Sequence, residues 1–83
     1  MTEKELESLG FTKDVYGDFD GEWHYYSLQL ASGFGFISCA NNQVGEGGQW
    51  FVEFFDSDPL IRFTEFSEVQ SLINLIKSRI VNE

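Results

Sequence analysis

The hydrophobic period of this chain changes from strand-like to helical at Ser67, and that change limits the fold more than any other feature. After it, Val69, Leu72, Ile73, Ile76 and Ile80 fall at i, i+3, i+4, i+7 and i+11, one face of a helix. Ser67 is placed to cap that helix with Gln70 three residues on, and Lys77 and Arg79 lie near its C-terminus, where positive charge is favoured. Before Ser67, short strand-like runs are separated by turn-forming clusters. These runs are 11–16, 22–31, 34–40 and 50–55, and Leu60 to Phe63 adds a short edge strand after the break at Asp56-Ser57-Asp58-Pro59. At the N-terminus Thr2-Glu3-Lys4-Glu5 has the form of a capping box, Leu6 and Leu9 supply an apolar edge, and Gly10 is placed to stop the helix. The pattern gives an α+β fold in the order α-β-β-β-β-α. An antiparallel sheet of four to five strands carries a short N-terminal helix, and a C-terminal helix packs on one face. Residues 1–83 form one domain.

A chain of 83 residues buries a smaller share of its surface than a larger domain does. Nine Phe, three Tyr and two Trp offset this, because each large ring can bury about 150–250 Å². The one cysteine, Cys39, excludes an intrachain disulfide and a multi-cysteine zinc site. The N-terminus has no apolar leader segment, and no run of apolar residues reaches membrane-spanning length. The expected location is the cytoplasm.

The net charge is −9, and its distribution is uneven. Residues 1–60 hold eleven acids against Lys4 and Lys13, whereas residues 61–83 balance three acids with three bases. Such a surface repels nucleic-acid phosphates and anionic lipids and favours basic partners. The competing reading is acidity that only keeps an aromatic-rich protein dissolved.

If Ser32-Gly33 centres a tight hairpin, residues whose numbers sum to 65 lie opposite each other. One face then carries His24, Tyr26, Leu28, Leu30, Ile37 and Cys39 and seats the C-terminal helix. The other carries Trp23, Tyr25, Ser27, Gln29, Phe34, Phe36 and Ser38. With Glu53 directed to solvent, Trp50, Val52 and Phe54 point inward and Phe51 and Phe55 outward. The outward aromatics, unless the N-terminal helix or strand curvature covers them, make a candidate interface. Asp14 to Glu22 and the acids Glu53, Asp56 and Asp58 would share one end of the sheet if the first and fourth strands were neighbours.

Motifs for chemistry are weak. His24 and Cys39 are diagonal neighbours in this register, and a Cys–His pair can supply a nucleophile and its base. The helix would cover that face, and no oxyanion donor or orienting third group is evident. Asp18-Phe19-Asp20-Gly21-Glu22 resembles part of a calcium loop, but Tyr16 and Ser27 stand where ligands are required. Gly45-Glu46-Gly47-Gly48 lacks the Gly-Lys-Ser/Thr of a phosphate loop and has no βαβ unit around it. No catalytic, cofactor-binding or metal-ligating residue is assigned.

The expected function is non-enzymatic binding or inhibition. A basic protein partner, such as a nuclease or another nucleic-acid-binding protein, would contact Trp23, Tyr25, Phe36, Phe51 and Phe55 with an acidic rim of Asp18, Asp20, Glu53, Asp56 and Asp58. Direct contact with nucleic acid or membrane is not expected. The alternative is a self-associating accessory domain, a homodimer through the aromatic sheet face. In size, acidity and layout the chain resembles the small inhibitor and accessory proteins of phages and mobile elements, nucleic-acid mimics and immunity proteins among them. That likeness is one of type, rests on no shared motif and assigns no residue.

Overall fold

The computed structural model describes residues 1–18, 21–44 and 48–81. Helix α1 (Glu3–Ser8) leads into strands β1 (Thr12–Asp18), β2 (Gly21–Ala31), β3 (Phe34–Ser38), β4 (Val52–Phe54) and β5 (Arg62–Phe63), and helix α2 (Phe66–Arg79) closes the chain. The strands form one antiparallel meander in sequence order. The α+β architecture therefore matches the expected element order, with the short edge strand present. Among the described residues no helix is long and apolar enough to cross a membrane.

The first helix starts as its sequence dictates. Thr2 accepts a hydrogen bond from the Glu5 backbone N–H, and the Glu5 side chain accepts one from the Thr2 backbone N–H. Gly10, at φ +99°, ends it. Helix α2 starts two residues earlier than Ser67 capping would allow. Glu65 occupies the N-cap without a side-chain hydrogen bond, and Phe66 is half-buried against the core. A 3-10 turn at Asn41–Gln43 opens the connection between β3 and β4. The central part of the expected glycine-rich loop, residues 45–47, lies outside the described residues.

The β2–β3 pairing departs from the expected register. Ala31 lies opposite Phe34, as a two-residue turn requires, and Gly33 takes φ +76° there. A bulge between Gln29 and Ala31 then shifts the ladder by one residue, so that Leu28 faces Phe36 and Ser27 faces Ile37. A one-residue slip exchanges the faces of a strand. Phe36, expected outward, is 2% exposed in the core, and Ile37 takes its place on the open side. Ser38 is buried as well, and its hydroxyl accepts from the Tyr26 backbone N–H at 2.8 Å.

Both helices pack on the same face. The buried cluster joins Leu6 of α1, Val69 and Ile73 of α2, and Tyr26, Phe36 and Val52 of the sheet. Phe36 stacks on Phe54 with 4.9 Å between ring centres, and Phe63 meets both rings edge-on. Phe34, expected outward, is 41% exposed; its ring lies 5.4 Å from that of Phe54 and borders a recess with Leu75 and Ile76 of α2 and with Ile80 just beyond it. The Met1 ammonium donates to the carbonyls of Trp50 and Thr64, which ties α1 to the start of β4 and the end of β5.

Candidate functional site

With both helices on one side, neither helix covers the opposite face of the sheet among the described residues. A row of Thr12, Ser27, Ile37, Glu53 and Arg62 crosses all five strands on that face. On the β1–β2 side of the row, Asp14 lies opposite Tyr25 and Tyr16 opposite Trp23. The rings form a stack: Tyr16 is 4.6 Å from Trp23 and 5.4 Å from Tyr25 between centres, with interplanar angles of 22° and 13°. The two tyrosine hydroxyls are 2.9 Å apart. That hydrogen bond, with burial and the nearby Asp14 charge, pushes the Tyr25 hydroxyl up to about 12. Asp14 accepts from the Ser27 hydroxyl at 3.1 Å.

At the far end of the face a groove of about 310 Å³ is bordered by Tyr25, Ser27, Gln29, Gly35, Ile37 and Phe55. Phe55 is 57% exposed beside it. Toward β5, Glu53 receives two hydrogen bonds from Arg62, at 3.0 and 3.2 Å, and the Arg62 guanidinium sits 3.9 Å over the Phe51 ring.

The expected surface is therefore brought together in part. Trp23, Tyr25, Phe51, Glu53 and Phe55 share the open face, and Phe36 does not. Asp56 and Asp58 are exposed, but they follow β4 at the same end as the β2–β3 turn. In a meander this is the end opposite the β1–β2 turn, so β2 and β3 separate the first strand from the fourth. Asp56 and Asp58 consequently do not join Asp14 to Glu22 in one acidic rim. Asp18 ends β1, its side chain lies outside the described set, and Asp20 falls outside the described residues altogether. Sequence reasoning missed Tyr16 and Ile37. Tyr16 was legible, since Asp14 and Tyr16 alternate on one face of the first strand.

The covered face holds the ionisable cluster. His24 Nε2 bonds to Glu3 Oε1, and the Tyr26 hydroxyl is shared between Glu3 and Glu7 at 3.1 and 3.2 Å. The His24 ring also stacks on Trp50. Cys39 is 3% exposed, and His24 is committed to Glu3, so the two do not form the nucleophile–base pair that the unshifted register suggested. Burial first, and then the Glu3 carboxylate, raise the Tyr26 hydroxyl above its usual range. The hydrogen bond from His24 holds Glu3 below its usual 4.5. A carboxylate with a depressed folded value adds stability above its unfolded value, and that stability is lost as pH falls through the folded one. Glu3→Gln should therefore be less stable than the parent chain at neutral pH, with the gap closing at an acid pH below the depressed Glu3 value. Urea midpoints at both pH values test this, and a gap that stays constant would refute it.

Among the described residues no cluster of three or more His, Cys, Asp or Glu is placed to hold a metal ion. Comparison with protein-family models, with curated proteins and with solved structures returns no match.

Proposed function

We propose that this protein is a non-enzymatic binding module that engages a basic, nucleic-acid-handling protein through the open face of its sheet and blocks it. The observation that supports this reading is the placement of both helices on one side of the sheet. It leaves Tyr16, Trp23 and Phe55 exposed, and Ile37 half-buried on the same face, in a chain of net charge −9. Trp23 and Tyr16 are 37% and 46% exposed, enough to enter an interface and lose further area there. The charge favours encounter with cationic surfaces and opposes contact with phosphate backbones. Stacked aromatics on an open sheet also occur where single-stranded nucleic acid is bound, but such sites depend on a positively charged groove. On this face Arg62 is the basic side chain, and Glu53 neutralises it.

The test begins with affinity capture at low ionic strength, followed by titration of the recovered partner at several salt concentrations. Affinity should fall about tenfold or more between 0.05 and 0.5 M salt. Trp23→Ala should weaken it by a similar factor at fixed salt. Binding that is indifferent to both salt and Trp23→Ala would sink the reading.

A further inference from the structure

The open face ends at β1, and the hydrogen bonds of β2 reveal how that edge is wired. The His24 and Tyr26 backbone N–H groups point away from β1, to the Asn41 side-chain oxygen and the Ser38 hydroxyl at 2.9 and 2.8 Å. In an antiparallel ladder residues alternate between bonding one neighbour and the other. Val15 and Lys13, which lie opposite His24 and Tyr26, therefore make non-hydrogen-bonded pairs with β2. By the same alternation Gly17, opposite Glu22, does so too. The N–H and C=O groups of Lys13, Val15 and Gly17 are thus directed outward from the edge of the sheet. No described strand pairs with them, and Val15 and Tyr16 are 56% and 46% exposed along the edge.

We infer that β1 is a strand-addition site, where an extended segment with alternating basic side chains pairs through the backbones of Lys13, Val15 and Gly17. This deepens the function proposed above and rests on it for the sign of the partner's charge. The added strand would place one set of side chains on the open face beside Asp14 and Tyr16, where a lysine or arginine meets a carboxylate and a ring. Its other set would lie beside Val15, where an aliphatic residue fits. Seven residues without proline or an irregularity give the edge enough length for such pairing.

A capped octapeptide of alternating lysine and valine is the probe, used with the full chain at up to about 1 mM peptide. Bound peptide should slow amide exchange at Lys13, Val15 and Gly17 about tenfold or more, leaving Asp14 and Tyr16, already bonded to β2, little changed. The same peptide N-methylated at alternate residues keeps its charge and loses its donors, and should bind about tenfold more weakly or worse. Val15→Pro removes the central outward donor without touching the β2 ladder and should have the same effect. Equal binding of both peptides, bound peptide without protection of the three amides, or no binding by either peptide overturns the inference. Protection that rises with protein concentration alone would place a second copy on the edge and would also overturn it. Capture of a basic partner that leaves the three amides unprotected would reject strand addition while the binding function stood.

Discussion

Truncating Phe36 to alanine is expected to lower the unfolding free energy by about 3–5 kcal/mol. Phe36 is 2% exposed and lies opposite Leu28, with Phe11, Phe54 and Phe63 around its ring. Two losses combine in the variant: the transfer energy of a large apolar side chain and the cavity left among rings that cannot all close over it. A small domain commands about 5–15 kcal/mol in total, so the urea midpoint should fall steeply while the slope of the transition stays near that of the parent. Phe55→Ala is the control. It removes the same ring from the open face, where 57% of the residue is exposed, and should cost less than about 1 kcal/mol. If the two variants behaved alike, the one-residue shift between β2 and β3 would be wrong and the two faces of β3 would exchange.

That comparison also marks where the sequence stops being legible. Element types and order follow from local signals: the Thr2/Glu5 capping box, the turn at Ser32-Gly33 and the helical period after Ser67 are each set by a few adjacent residues. Inward placement of Trp50, Val52 and Phe54 was readable because Glu53 breaks the ambiguity of its strand. The third strand has no such marker. Phe34 and Phe36 lie on one parity and Ile37 and Cys39 on the other, so both faces read as apolar and alternation cannot choose between them. The bulge makes the choice, and it depends on how two backbones approach, which no spacing rule reports. The acidic rim failed for a related reason. Which strand ends meet is set by strand order, and an all-sequential meander puts Asp56 and Asp58 at the opposite end from the β1–β2 turn.

Gly35 lets β2 and β3 approach closely beside the bulge, and Gly35→Ala should show how much the shifted register depends on that approach. A Cβ at this position would lie 2.4 Å from the Leu28 carbonyl oxygen and 2.9 Å from the Gln29 Cα. Both atoms belong to the backbone of β2, so no side-chain rotation can relieve the contact and one strand must move. Alanine in place of glycine ordinarily stabilises a strand interior by about 0.5–1 kcal/mol through the entropy of the unfolded chain. Here the sign should reverse, with a loss of about 1–3 kcal/mol or more. Gly17→Ala separates the two terms, because its added methyl meets the flexible Glu22 Cγ at 3.2 Å and no backbone. Gly17→Ala should stay within about 0.5 kcal/mol of the parent. Equal stability of the two variants would mean that β2 and β3 do not approach as closely as the bulge demands. The variant could also relieve the clash by sliding β3 into the unshifted register, which nuclear Overhauser contacts between Leu28 and its cross-strand neighbour would detect. Such a slide would send Ile37 into the core and bring Phe36 onto the open face. Partner affinity would then change although no side chain of that face had been replaced, because the register of β3 sets which side chains the face presents.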